Sequence, residues 1–361
     1  MMKLLLLHRR RWWLFYLPLL ICVATAAWRS ATRWKVLPPE QVLIAAGSQQ
    51  GSYSRLAQRY AEKLARRGLR TELVYSDSDQ APLNNLAIAR DVAMIGFARG
   101  GGVNSGAPVR GLAVVGHEPI WIFSRKTAVT SLSQASGLRV AADTAMSATG
   151  TTAKLMLQSA GVRAADVSFE PLSGLNAVNA LIDDKVDLVF LAAGEDSPAL
   201  QLLLKQGDLH IVGAERSGAL TAQAPHLRAL LLPQGAIEFR GDIPPRDLTL
   251  MALQTHLLVQ QDVHPALQRL LLDVAVEIHE FPTFLQRQGE FPSFQASDCP
   301  LSPTAKSYSR GERPWMETLL PYGKAQQAEL LLYACCSTRL FRFWSLPGLH
   351  WPGYRSFSIG A

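Results

Sequence analysis

The chain states one structural pattern twice, and this repeat limits its fold more than any other feature. From Val42 to Ala98 it reads as an apolar strand (VLIAA), a small-polar loop (GSQQGSYS) and an amphipathic helix; a second strand (ELVY), an Asn-bearing segment (PLNNLAIARD) and a third strand (VAMIGFA) follow. From Leu138 to Ala193 the order recurs as RVAAD, TAMSATGTT, a helix, VSFEPL, SGLNAVNALIDDK and VDLVFLAA. The offset of about 95 residues is close to the size of a domain. Strands alternating with helices at this spacing specify α/β structure with parallel strands. Two copies, each with a Gly/Ser/Thr loop opening a helix, predict two α/β lobes with a ligand cleft between them.

At 361 residues, with 48% apolar and 18% charged positions, the chain is long enough and apolar enough for two packed cores. Its net charge of +7 belongs to the ends. Residues 1–35 carry Lys3, Arg9, Arg10, Arg11, Arg29, Arg33 and Lys35 with no acid, and the tail adds Lys324, Arg339, Arg342 and Arg355 against Glu329. The body between them is therefore net acidic, which removes the usual electrostatic case for nucleic-acid binding. Arg9 to Arg11 precede an apolar run from Trp12 to Ala27 with aromatic flanks. That pattern reads as a signal-anchor helix with the following chain outside the cytoplasm. Ala24-Thr25-Ala26 offers the alternative of cleavage by signal peptidase, which would release a soluble periplasmic protein. The four cysteines, Cys22, Cys299, Cys335 and Cys336, show neither metal spacing nor a disulfide framework.

Along the body, periodicity predicts a helix over 54–67 with Leu56, Tyr60 and Leu64 on one face and Gly68 as its stop. Two strands, 112–115 and 120–123, cross toward the second lobe. There, helices over 151–160 (ended by Gly161), 177–182 and 197–205 alternate with strands over 188–192 and 209–212. The apolar stretch 248–259 crosses back, and a helix over 264–279 packs on the first lobe. The predicted organisation is an anchor and linker over 1–35, one lobe from 40–114 plus 245–322, a second lobe from 115–244, and an atypical, disordered tail over 323–361.

In a wound α/β sheet, ligands bind beyond the carboxyl ends of strands, where loops enter helices. Two loops occupy that place: Gly47 to Tyr53 and Met146 to Thr152. Their backbone N–H groups, hydroxyls and helix dipoles favour an anion, although ordinary caps and turns use the same residues. Neither is a nucleotide-phosphate loop, because Ser52 and Thr151 stand where a Lys would follow the last Gly. Arg99, at the end of the third strand, either pairs with a ligand carboxylate or lies in solvent. Glu195 and Asp196, at the equivalent place in the second lobe, either accept an ammonium or cap the next helix. His117-Glu118 and His279-Glu280 are isolated and read as surface or core-edge residues. No catalytic acid, base or metal set and no nucleophile elbow is evident, so the chain reads as a binding protein without chemistry or cofactor.

The stretches IAAGSQQGSYSRLAQRYAEKLA, LNNLAIARDVAMIGFA, GLRVAADTAMSATGTTAKLML, GLNAVNALIDDKVDLVFLAAG, RQGEFPS and DCPLSPTAKSYSRGERPWMETLLPY resemble TAXI-type solute receptors. These are the extracytoplasmic binding proteins of tripartite ATP-independent periplasmic (TRAP) transporters, and the resemblance spans residues 40–322. It is strongest to the membrane-tethered branch. The resemblance implies a type-2 periplasmic-binding-protein fold and a small carboxylate ligand such as glutamate, glutamine or a dicarboxylate, delivered to a TRAP permease. It implies a place in the bacterial inner membrane, facing the periplasm. By position, the family's ligand loops fall on Ser48, Gln49, Gly51, Ser52 and Tyr53, on Arg99, and on Ser147, Thr149, Gly150 and Thr151. Gln49-Gln50 departs from the Gly- and Thr-rich loop of the family, and the second transmembrane helix of the tethered branch is missing after LPY. A tethered receptor cannot diffuse to a permease, which leaves a sensor or scaffold that presents its ligand to a neighbouring membrane protein as the alternative.

Overall fold

A computed structural model describes residues 37–47, 49, 52–76, 86, 92–101, 108–125, 129–195, 197–283, 285–295, 299–329 and 331–332. The expected anchor helix, the tail beyond 332, Cys22, Cys335, Cys336 and Asp196 lie outside them. No helix among the described residues is long and apolar enough to cross a membrane.

The repeat seen in the sequence is a repeat in the sheet. Strands β1 (Gln41–Gly47), β2 (Arg70–Tyr75) and β3 (Met94–Arg99) are parallel, in the order β2-β1-β3. Strands β5 (Arg139–Ala141), β6 (Ser168–Glu170) and β7 (Leu188–Ala192) are parallel in the matching order, β7-β5-β6. Between these sets run two long antiparallel strands, β4 (Val109–Ser124) and β10 (Leu248–Gln260), β10 beside β3 and β4 beside β7. Strand β8 (His210–Ile211) pairs with β4, and β9 (Leu227–Leu232) with β10. Two α/β lobes thus share one sheet through a pair of crossing strands, the two-lobed architecture of the type-2 periplasmic-binding-protein fold.

β4 is one strand where the sequence pattern suggested two. Gly116 to Pro119 interrupt its apolar run but stay in the ladder, since Pro119 sits in register with Ala252 and Glu118 with Leu253. The ladder is irregular between Thr255 and His256, where the partners are Gly116 and Val114 and Val115 is bypassed. Bulges of this kind add local twist and re-aim side chains, and this one lies where the two lobes meet.

The first helix of each repeat follows its strand and ends in the same way. α1 (Ser52–Arg66) stops at Gly68 (φ +83°), with Leu69 N donating to Leu64 O and Gly68 N to Ala65 O. α2 (Ala148–Ser159) stops at Gly161 (φ +87°), with Val162 N donating to Leu157 O and Gly161 N to Gln158 O. Both are Schellman caps, which need a residue that adopts positive φ without strain. On α1 the buried stripe is Tyr53, Ala57, Tyr60 and Leu64. Leu56, expected on that face, is only half-buried.

In the second lobe, alternation along the strands separates two cores. Ile120, Ile122, Val140, Leu188 and Phe190 meet α2 on one face. Trp121, Phe123, Ala141, Val189 and Leu191 meet α3 (Gly174–Ile182) and α4 (Pro198–Leu204) on the other. Burial on both faces is why these strands read as unbroken apolar runs. Helix α5 (Ser217–Gln223) precedes β9. In the first lobe, α6 (Pro265–His279) packs on α1 and β4, and α7 (Pro303–Ser309) packs on α6. Residues from Pro314 onward form a separate unit that contains the short helix α8 (Trp315–Leu319).

Candidate functional site

Strands β3 and β7 end at almost the same level of the crossing pair, β3 beside β10 and β7 beside β4. Arg99, Thr255 and Gly116 lie abreast on β3, β10 and β4, while Ala192 faces Ile120 and Ala193 N donates to Pro119 O. β4 continues through the gap, and a cavity of about 330 Å³ opens over it. Val115 to Pro119 and Thr255 line it from the crossing strands, Tyr53, Arg55, Leu56 and Arg59 from α1, and Gly194 and Glu195 from the loop after β7. The remaining wall is a strap running from His279, the end of α6, to Phe291.

A largely buried ion pair lies at this floor. Arg99 Nε donates to Glu118 Oε2 at 2.5 Å and Arg99 Nη2 to Glu118 Oε1 at 2.9 Å, a bidentate pair with side chains 11% and 4% exposed. Tyr53 joins from α1, its hydroxyl donating to Glu118 Oε2 at 3.4 Å and its ring 5.5 Å from the Arg99 guanidinium. β3 ends level with Gly116, one strand away across β10, and β4 runs on, so the last side chain of β3 reaches across β10 to Glu118.

The strap is held by its own bonds and by both lobes. Gln286 Nε2 donates to His279 O at 2.6 Å, and Gly289 N to Glu280 O at 3.1 Å. Glu195 Oε1 accepts from Thr283 Oγ1 at 2.7 Å and from Leu285 N at 3.3 Å. His117 Nε2 lies 3.5 Å from Glu290 Oε1, and its ring meets Phe291 edge-on at 4.8 Å. Burial holds the His117 pKa below the usual histidine value, with Arg228 acting in the same direction and Glu290 opposing. His279 is pushed down to about 4, chiefly by burial and further by the Arg59 charge.

Among the described residues, Tyr53 is the expected site residue that lines the cavity, and Arg99 stands one contact behind it, engaged with Glu118. Gln49 is exposed; Ser48 and Gly51 lie outside the described residues, as does the side chain of Ser52. The second loop does not line this cavity. Helix α2 begins at Ala148 instead of Thr151, so Thr149, Gly150 and Thr151 form its first turn. Ser147 caps it, accepting from Gly150 N at 2.9 Å and donating to Thr144 O at 2.9 Å. Thr149 is buried and Thr151 is exposed. Gly150 serves close packing, since a Cβ there would come within 2.2 Å of Thr144 O and 2.9 Å of Ala142 O. Gly150→Ala is therefore expected to destabilise the protein by about 1–3 kcal/mol through overpacking, read as a lower urea midpoint; an unchanged midpoint would show that the loop yields freely.

His117 and Glu118, read from the sequence as surface or core-edge residues, are in the floor of the cavity, and Glu118 is 3% exposed. The available signal was an ionisable pair inside the apolar run VVGHEPIWIF, at a place where the strand pattern demands burial. Glu195 is not seen capping α4: that helix starts from Ser197 with no side-chain cap bond, and the carboxylate goes to the strap. No group of His, Cys, Asp or Glu among the described residues is placed to hold a metal ion.

A family model described as the NMT1-like family matches residues 85–305, more than half of the chain. The chain belongs to the NMT1-like family. No curated protein matches this NMT1-like chain. Among solved structures it is similar to the periplasmic aliphatic sulphonate binding protein SsuA from Escherichia coli, at 16% identity and a TM-score of 0.46 over 66% of this chain and 72% of that one. It is also similar to the alkanesulfonate-binding protein SsuA from Xanthomonas axonopodis pv. citri bound to MOPS (16% identity, TM-score 0.43, 82% and 93% covered). A third likeness is MatC from Rhodopseudomonas palustris with bound malate (15% identity, TM-score 0.43, 68% and 85% covered).

Proposed function

We propose that this NMT1-like protein is an extracytoplasmic solute receptor of the TAXI type. It binds a small carboxylate, such as glutamate, glutamine or a dicarboxylate, and delivers it to a TRAP permease while residues 1–35 tether it to the inner membrane. The observation that carries this reading is the cavity at the crossing of β4 and β10, lined from α1 on one side and from the loop after β7 on the other. A site that draws its walls from two lobes joined by two strands is suited to capture by hinge closure. The bulge at Gly116 and Thr255 is one of two places where the register of this ladder shifts, and it is the one at the cavity.

In this reading Tyr53 and Thr255 hydrogen-bond the solute, while Arg55 and Arg59 bring positive charge to the α1 side. Ser48, Gln49, Gly51 and Ser52 are assigned to the solute from the first lobe, and Thr151 reaches it only on closure, since its loop does not line the cavity as it stands. Ser147, Thr149 and Gly150 hold that second loop in shape. Glu195 and the strap latch the lobes around the ligand.

The test is thermal unfolding and calorimetry of the full chain against a panel of amino acids and dicarboxylates. A ligand at about 100 times its Kd adds about 2.7 kcal/mol to stability, which is several degrees in Tm for a protein of this size. Silence across the whole panel would defeat the proposal.

A further inference from the structure

The cleft holds a carboxylate of its own. Glu118 meets Arg99 through two parallel N–H···O bonds, the fork geometry in which a guanidinium takes a free acid. The pair is in the binding floor, since Glu118 lines the cavity together with its neighbours His117 and Pro119 and accepts from the Tyr53 hydroxyl. Stability alone does not call for an acid at this point of β4, because apolar residues of similar volume generally serve as well as a buried ion pair. Resting on the reading of this cavity as a solute site, we infer that Glu118 sets its specificity. Its side chain occupies the guanidinium of Arg99, and an acid ligand gains that anchor only by competing with Glu118 for it.

Three features of the fold support the competition. Arg99 ends its strand, so its side chain reaches past the end of β3 and across β10, and Glu118 is two residues past the level where β3 stops. The guanidinium is largely shielded from water, so whichever carboxylate sits on it is bound strongly. Finally, the cavity volume of about 330 Å³ adjoins Glu118, so withdrawal of that side chain would open the anchor to a molecule larger than the carboxylate it replaces.

The experiment uses the full chain carrying Glu118→Ala, with sodium acetate and sodium succinate as probes and sodium chloride at matched ionic strength as control. Acetate fits the space that Glu118 leaves, whereas succinate reaches Arg99 only if that space opens into the cavity. Both acids are expected to raise the Tm of the variant above its value in chloride. Succinate is expected to bind the variant at least about tenfold more tightly than wild type, the order expected when a buried charge pair no longer has to be broken. If the variant does not fold in chloride, recovery of folded protein in both acids, and not in chloride, carries the same meaning. Rescue by acetate alone would make Glu118 a closed structural contact and overturn the inference, as would no response to either acid. The two readings fail separately. A wild type that binds a panel acid, with a variant that binds succinate no tighter, removes the competitor and keeps the receptor. A variant that takes succinate beside a wild type silent to every acid does the reverse.

Discussion

Arg99→Met is expected to lower the unfolding free energy by about 3–5 kcal/mol, because it leaves the Glu118 carboxylate buried without its cation. Glu118 is 3% exposed in the middle of a strand whose neighbours Ile120, Trp121 and Ile122 are also buried, so cavity water is a poor substitute for the guanidinium. The Tyr53 hydroxyl, at 3.4 Å, is an uncharged donor and a more distant one than the two of Arg99 at 2.5 and 2.9 Å. Adding Glu118→Leu to Arg99→Met is expected to restore most of the loss, since an apolar pair of similar volume removes the stranded charge. Urea unfolding of the wild type, both single variants and the double variant closes the cycle. A single variant within about 1 kcal/mol of wild type would mean that Glu118 has other support sufficient to hold it, and the pair would lose its place as the anchor of the cleft floor.

How far the sequence discloses this site depends on what each residue's local pattern records. The lobes were legible because hydrophobic periodicity is a local property, and it recurs: VLIAA and VAMIGFA in one repeat, RVAAD and VDLVFLAA in the other, all found as strands in equivalent positions. The helix stops at Gly68 and Gly161 were legible for the same reason, as each cap is made within six residues. The partnership of Arg99 with Glu118 was not, because it depends on β3 and β4 being separated by β10, a strand about 150 residues further along the chain in a domain of ordinary two-lobed size. The strap was invisible on similar grounds: Thr283, Leu285 and Gln286 carry no periodicity, and their role comes from meeting Glu195 and His279 in space. The second loop shows the opposite limitation. Its Ser, Thr and Gly pattern was seen, but the same pattern serves a helix cap and a tight strand-to-helix packing, and those are the roles that Ser147 and Gly150 have here. The size of Gly150 matters only through the carbonyl of Thr144, six residues back, which no propensity scale records.

Acidification is expected to weaken the fold through His279, and the sign follows from its environment. Its Nε2 is buried with no hydrogen-bond partner among the described residues, its ring lies 5.9 Å from that of Tyr60, and the Arg59 charge faces it from α1. Burial first and the Arg59 charge second disfavour the imidazolium, which is why the folded-state pKa falls to about 4 from 6.5. Between those two values the unfolded chain binds a proton that the folded chain refuses, so stability rises with pH across the window. The contribution is intact above pH 6.5 and is lost as the pH falls toward about 4, reaching about 3 kcal/mol in all. Carboxylates titrate in part of the same range, and His279→Phe isolates the histidine by keeping an aromatic ring against Tyr60 while removing the proton site. Urea unfolding at about pH 7 and about pH 4.5 should show a smaller loss in the variant than in wild type, by about 2–3 kcal/mol. Equal losses would mean that His279 is not held neutral. The same neutrality matters for the cleft, because His279 closes one end of the cavity between Arg59 and the strap. An imidazolium there would add a third positive charge to those of Arg55 and Arg59 and would strain the wall that Gln286 holds through the His279 carbonyl. Acid should therefore loosen the strap at its α6 end before it disturbs the cores of the lobes, and hydrogen exchange at Gln286 and Gly289 is expected to accelerate ahead of that in β4 and β10.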